Sequence, residues 1–340
     1  MSLRNFLKFN LISFLAVLLI AMAILTPADS LANSKYASLV IDADTGVVLH
    51  EENAGKSLYP ASLVKMMTLY MTFHALERGK LSMNKKIRVS SRASRQPASK
   101  LGLRRGSYIS LQDAVLAVTI KSANDAAVVL AEAVGGSEWQ FAILMNKMAK
   151  KLGMDNTNFV NASGLYNKRQ KTNAYDMARL AVALRRDYPR YYKLFNRNKF
   201  YYRGRVYKSH NRVTKTYRGA DGLKTGYINA AGYNLVTSAR RSGHSIVGVV
   251  FGGRTSKRRD RHMIKLLDNA FYKVAKNDKA GISLHASYAP TPKLKPNAQY
   301  AVAAKDFPEP ALKPNLSKKM TKASSDENSF VPPIPVTKIY

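Results

Sequence analysis

Between Pro60 and Gly79 the chain carries Leu63, Val64, Met66, Met67, Leu69, Tyr70, Met71 and Phe73, a run with no consistent polar face. Proline suits the first turn of a helix and glycine the residue just past its end, so the segment predicts one long helix. A helix that is apolar on every side has to be wrapped by the rest of the fold. With 340 residues, 46% of them hydrophobic, the chain has the mass to do that wrapping in one sizeable domain or two small ones, despite a formal charge of +34.

The segments around this helix alternate in type. Ala37–Ile41 and Gly46–His50 flank Asp44-Thr45-Gly46 and read as a hairpin. Ser110 caps a short helix running to about Ile120, a second spans Asp125–Val134 and stops at Gly135-Gly136, and a third follows the capping box of Ser137 and Gln140 and closes at Gly153. Another covers about Asn173–Arg185. Residues 187–222 are basic and Tyr-rich, with short strands. Tyr233–Ala239 and Ser245–Phe251 are strands turned by Arg240-Arg241-Ser242-Gly243, and a last helix runs from about Arg259 to Tyr272. Strands at both ends with helices between them predict a two-lobed α/β (α+β) fold. Its antiparallel sheet is covered by terminal helices on one face, an all-helical lobe packs beside it, and the site lies in a cleft between the lobes.

The two ends of the chain differ from this middle. Arg4 and Lys8 precede an apolar run from Leu11 to Leu25, short for a membrane span and suited to a signal peptide; Ser30-Leu31-Ala32 places cleavage after Ala32. The alternative is an uncleaved anchor, and either way the remainder is exported. Cleavage removes Arg4, Lys8 and Asp29 and leaves a charge of +33. On an exported chain that charge favours an anionic envelope surface or polymer as partner over nucleic acid, for which charge alone gives only salt-sensitive, unspecific affinity. Nine of the thirteen prolines fall between Pro290 and Pro335, so 277–340 reads as a basic, Pro-rich, flexible tail without a strong amphipathic anchor. Residues 33–276 are then the catalytic domain.

With no cysteine, and six histidines scattered without ligand spacing, thiolate chemistry is excluded and a His-rich metal site disfavoured; no cofactor is implied. A nucleophile has to come from elsewhere. Ser62 and Lys65 are three residues apart on one helical face, so the amine can take the hydroxyl's proton, provided burial or a neighbouring cation keeps Lys65 neutral. Ser62 also falls in the first helical turn, whose unsatisfied amides favour a developing oxyanion. Ser82-Met83-Asn84-Lys85 has the same spacing in a predicted loop and is assigned no role. Ser122-Ala123-Asn124, at a helix–helix junction, reads equally as a helix cap, and Lys224-Thr225-Gly226 as the polar start of a strand.

The ordered strings Tyr59-Pro60-Ala61-Ser62-Leu63-Val64-Lys65, Ser122-Ala123-Asn124-Asp125-Ala126 and Asp221-Gly222-Leu223-Lys224-Thr225-Gly226-Tyr227 together resemble the serine D-alanyl-D-alanine carboxypeptidases. These are low-molecular-weight penicillin-binding proteins that share S-x-x-K, S-x-N and K-T-G with class A β-lactamases. Phe159–Leu165, Ala230–Asn234 and Gly252–Thr255 support the likeness, which covers about residues 35–275. It implies a β-lactamase/transpeptidase-like fold and the following roles. Ser62 attacks the carbonyl between the two terminal D-alanines of a peptidoglycan stem peptide, with Lys65 as general base. Ser122 relays a proton to the leaving D-alanine. Asn124 hydrogen-bonds the substrate backbone and steadies Lys65. Lys224 supplies positive potential, and Thr225 holds the terminal carboxylate on the substrate-binding strand with Gly226. The amides of Ser62 and Tyr227 form the oxyanion hole. Arg259, or else Arg254, is a second carboxylate contact, the alternative being a solvated basic run from Arg254 to Arg261. Penicillins are expected to act as covalent inhibitors.

Departures from the family pattern are Val64 where Thr is common and Ala162-Ser163 where Pro-His is common, with no sign of the small β-rich domain that precedes a membrane-binding helix in some members. A β-lactamase on the same scaffold needs a second base; no glutamate occurs between Glu138 and Glu309, and Asp155 or Asp176 would substitute only with altered reach. Transpeptidation and cross-link endopeptidase action use the same residues. A reading of another class, a noncatalytic binder of peptidoglycan or of an anionic envelope surface, leaves the intact catalytic set without a purpose.

Overall fold

The computed structural model describes residues 34–280; the expected signal segment 1–32 and nearly all of the expected tail lie outside the described residues. Ala37–Asp42 (β1) and Val48–Glu52 (β2) form the expected hairpin, its turn held by Asp42 Oδ1, which accepts the amides of Asp44 and Thr45. Lys86–Arg88 (β3) pairs with Tyr108–Ser110 (β4), and Lys199–Tyr202 (β5) with Arg205–Lys208 (β6), as two small ribbons. Ala220–Ile228 (β7), Gly232–Arg241 (β8) and His244–Gly253 (β9) complete a five-stranded antiparallel sheet in the order β2-β1-β9-β8-β7. The β8–β9 turn is Ser242-Gly243, with φ of +48° and +84°, the conformation whose twist matches the strands it joins.

Period-two alternation gives the sheet two buried faces. Leu39, Val236, Val247, Val249 and Phe251 face the helical lobe; Val40, Leu235, Ala239, Ile246 and Val250 face the C-terminal helix, Ser256–Lys279. That helix is longer than the expected Arg259–Tyr272 and passes residue 276. Its buried stripe, Met263, Leu266, Leu267, Ala270 and Val274, keeps helical spacing beyond Tyr272, so packing carries it on.

The other lobe is built around the central helix, Val64–Glu77, in which every residue from Val64 to Ala75 is buried, as its composition demands. The helices Asn124–Gly135, Glu138–Lys151 and Ala174–Asp187 complete the lobe, and Ser110, Ser137 and Asn173 each accept the amide three residues on, as N-caps do.

Two local differences from the sequence reading place the site. The helix after Ser110 keeps α geometry only to Leu116, then widens into a π-helical segment, Ala117–Lys121, which releases Ser122 in a left-handed conformation at φ +61°. Such widened turns re-aim the residues that follow them. Lys224-Thr225-Gly226 does not begin a strand but lies inside β7, which starts at Ala220 on the sheet's edge. Within β7, Gly222 passes under Phe195 and Tyr192, where a Cβ would meet that of Phe195 at 3.1 Å.

Candidate active site

Pro60 is followed by a 3-10 turn, Ala61–Leu63, and the α-helix begins only at Val64, so Ser62 sits just before the helix and not in its first turn. Ala61 is held at φ +49°, a conformation costly to a residue with a Cβ, and the surroundings enforce it. Gly164, at φ +81°, lies so close that a Cβ there would come within 1.9 Å of the Ala61 carbonyl oxygen. From the other side Gly226 of β7 presses on the turn; a Cβ would fall 3.0 Å from Ser62 N and 3.1 Å from Pro60 O. Asn234 of β8 fixes the turn's entry by donating to the carbonyls of Tyr59 (3.0 Å) and Pro60 (3.3 Å).

One turn on, Lys65 is completely buried, with its Nζ 3.0 Å from Ser62 Oγ and 2.8 Å from Asn124 Oδ1, and in contact with the carbonyl of Ser163. A neutral amine has two hydrogens and one lone pair. Given to Asn124 and Ser163, the hydrogens leave the lone pair for the Ser62 hydroxyl. Burial drives the Lys65 pKa well below its ordinary value, the charge of Lys224 adds to the effect, and Asp125 opposes it.

Asn124 is itself oriented by Nδ2 donating to the Pro97 carbonyl at 3.0 Å. Its neighbour Asp125 is fully buried and accepts the amides of Leu101, Gly102 and Leu103, tying the 97–103 loop to the start of the helix. Ser122 Oγ accepts from Lys224 Nζ at 2.9 Å, and the same ammonium donates to the Thr225 carbonyl at 3.0 Å. Burial first, and Arg259 second, lower the Lys224 pKa to about 7.

These residues open on a cleft of about 910 Å³ between the lobes, lined by Ser62, Ser122, Asn124, Thr225, Gly226 and Tyr227. Arg259 also lines it but is neither solvated nor free: Nε and Nη2 donate to Asp260 Oδ1 and Nη1 to the Asn234 carbonyl, and the residue is 3% exposed. Arg254 is exposed and is not among the lining residues, so a carboxylate contact from it has no geometric support. The sequence reading missed several contributors. The Ser163 carbonyl could have been found only from the likeness around 159–165. Lys121, Lys208, His210 and Arg212 line the cleft from segments with no motif, and no Asp or Glu lines it among the described residues. Asp155 is exposed, and Asp176 is buried against Asn156, Thr157 and Arg179, away from the lining.

Alongside this arrangement of the Ser62 hydroxyl, buried amine, Ser122 and second lysine stands the comparison of the sequence with known proteins. Residues 25–255 match the family described as D-alanyl-D-alanine carboxypeptidase, peptidase S11. The chain belongs to this family. It is 37% identical over 274 residues to the D-alanyl-D-alanine carboxypeptidase DacF of Bacillus subtilis, covering 76% of this chain and 70% of that one. To the Escherichia coli carboxypeptidase DacC it is 37% identical over 242 residues, 69% of this chain and 60% of that one. The carboxypeptidase fold is also similar to penicillin-binding protein D2 of Listeria monocytogenes in its ampicillin-bound form. That match has a TM-score of 0.65 and 31% identity over 70% of this chain and 97% of the other.

Proposed function

We propose that the protein is a serine D-alanyl-D-alanine carboxypeptidase that trims peptidoglycan stem peptides in a bacterial cell envelope, after export through its N-terminal segment. The observation that carries this reading is the Lys65 amine, buried, surrounded by acceptors and 3.0 Å from Ser62 Oγ, which equips it to receive the hydroxyl's proton.

Ser62 Oγ attacks the scissile carbonyl while Lys65 Nζ takes its proton, and the oxyanion is met by the backbone amides of Ser62 and of Tyr227, the residue after Gly226. Because Ser122 Oγ accepts from Lys224, its own proton is free to pass to the leaving amine. Cleavage of the C–N bond releases D-alanine and leaves the acyl group on Ser62, while the proton taken up by Lys65 replaces the one that Ser122 gave away; Lys65, neutral again, takes a proton from the attacking water and returns it to Ser62 Oγ as the shortened peptide leaves. Thr225 meets the terminal carboxylate, in a cleft whose charged lining is all cationic. Arg259, three of whose five N–H groups are held by Asp260 and the Asn234 carbonyl, acts through its charge on Lys224.

That no Asp or Glu lines the cleft among the described residues favours slow loss of a penicilloyl group over β-lactamase turnover, in keeping with a relative that holds ampicillin. The test is the intact mass of the purified protein after brief exposure to benzylpenicillin, beside Ser62→Ala. A lasting adduct absent from Ser62→Ala, with release of D-alanine from a D-Ala-D-Ala peptide, is the expected result. An adduct that vanishes as hydrolysed penicillin accumulates points to a β-lactamase, and no adduct with no turnover points to a binder.

A further inference from the structure

The β5–β6 ribbon has one face that the mechanism does not use. Its register pairs Lys199 with Lys208, Phe200 with Tyr207, Tyr201 with Val206 and Tyr202 with Arg205. Directly paired residues share a face, and successive residues alternate. Phe200 is 3% exposed, and it, Tyr202 and Tyr207 pack into the helical lobe's core, which anchors the inner face. On the outer face Tyr201 and Val206 stand side by side at 65% and 49% exposure, next to the Lys199–Lys208 pair. Arg203 sits at the turn. The segment itself brings no counter-charge: no Asp or Glu occurs between Asp187 and Asp221, an interval with ten Lys and Arg.

The ribbon also runs into the active site. Ser209 N donates to the Asn198 carbonyl at 2.7 Å, closing the ribbon's base, and Lys208, Ser209 and His210 line the cleft. We propose that the outer face of the ribbon binds a second stretch of the wall polymer while the cleft holds a stem peptide, an inference that rests on the function proposed above. The chemistry matches a glycan bearing peptides. Tyr201 and Val206 offer an apolar surface for sugar-ring faces, with the tyrosine hydroxyl left at the water boundary. Lys199 and Arg203 suit the free carboxylates of neighbouring stems. Continuity with the cleft means that polymer held on the ribbon raises the local concentration of stem peptides at Ser62.

The test compares the protein with a Lys199→Gln, Tyr201→Ser, Val206→Thr variant, Lys208 being left in place because it lines the cleft. Equal rates of benzylpenicillin acylation verify that fold and site are intact. The expected result is unchanged turnover of a soluble D-Ala-D-Ala pentapeptide, with release of D-alanine from isolated insoluble wall polymer falling by about tenfold. Sedimentation with that polymer, measured in a Ser62→Ala background, should weaken alongside. Equal activity and binding on the polymer, or a parallel fall on the pentapeptide, overturns the proposal. So does a variant that loses binding to phosphatidylglycerol vesicles while retaining polymer binding, which would assign the face to lipid. An unmodified protein that sediments with polymer through the ribbon yet never releases D-alanine would sink the proposed activity and leave the binding surface standing.

Discussion

Lys224 and Ser122, 102 residues apart, are joined by a 2.9 Å hydrogen bond that couples the charge of β7 to the hydroxyl proposed as the proton relay. Lys224 is pushed down to about 7, chiefly by burial, and Lys65 is driven well below its ordinary value with Lys224's charge contributing. The two lysines oppose each other's protonation, so they titrate as a pair. On raising pH, Lys65 becomes a base first; at about pH 7 the free enzyme has lost half of the positive charge of Lys224. The expected kcat/KM profile is a bell whose alkaline limb has its midpoint near pH 7, while kcat, which reports the complex, has that limb displaced upward because a bound carboxylate favours charged Lys224. A profile of kcat/KM that stays flat from neutrality to strongly alkaline pH would remove Lys224's charge from the mechanism.

The same burial costs stability. The unfolded chain keeps its Lys224 proton up to about pH 10.4, whereas the folded chain releases it near 7. Between those values the unfolded state binds more protons, so this group makes the protein more stable as pH rises through the window. Lys224→Met should abolish turnover yet raise the unfolding midpoint at pH 7 by about 2 °C or more, the shift that about 1 kcal/mol produces in a domain of this size. The gain should shrink at pH 9. A midpoint lowered at both pH values would show that the hydrogen bonds to Ser122 and Thr225 outweigh the buried charge.

The two glycines around Ser62 should fail differently. At Gly226 an added Cβ meets Ser62 N at 3.0 Å and the Ala61 Cβ at 3.2 Å, contacts that a small retreat of the edge strand relieves. Gly226→Ala should therefore fold, and lose about 100-fold in acylation as the amides drift from the oxyanion position. At Gly164 the clash is with backbone at 1.9 Å, and φ is +81°. Gly164→Ala should cost about 2 kcal/mol or more. Melting curves and penicillin acylation rates separate the two; equal loss of stability in both would contradict the difference in clearance.

Much of this was legible because it is local. The apolar stretch from Leu63 to Phe73 required a buried helix, the caps Ser110 and Ser137 marked helix starts, and the Ser62–Lys65 spacing set one side chain above the other. What stayed hidden depends on contacts distant in sequence. The π-helical widening before Ser122 leaves no mark on hydrophobic periodicity, the Ser163 acceptor is a carbonyl that any residue carries, and the exposure of Arg254 against the burial of Arg259 is decided by Asp260 and Asn234. The motif strings named the chemistry, but only the folded packing of the π-helical segment, the small ribbon and the C-terminal helix shows which cations face the cleft.

Arg259 offers the sharpest choice between a contact and an influence. Three of its five N–H donors are taken by Asp260 and the Asn234 carbonyl, and its charge helps to lower the Lys224 pKa. Arg259→Gln removes that charge and leaves Asp260, bonded also to Arg212 Nε at 3.0 Å, to act on the neighbourhood as an anion. Both changes favour protonated Lys224. The alkaline limb of kcat/KM should move up by about half a pH unit or more, with KM for a D-Ala-D-Ala peptide within about twofold of the unmodified enzyme, since uniform substrate binding is untouched. Arg259→Lys, which keeps the charge, should leave the limb in place and serves as the control for a disturbed fold. A KM raised about tenfold in Arg259→Gln with the limb unmoved would instead make Arg259 the group that holds the substrate's carboxylate.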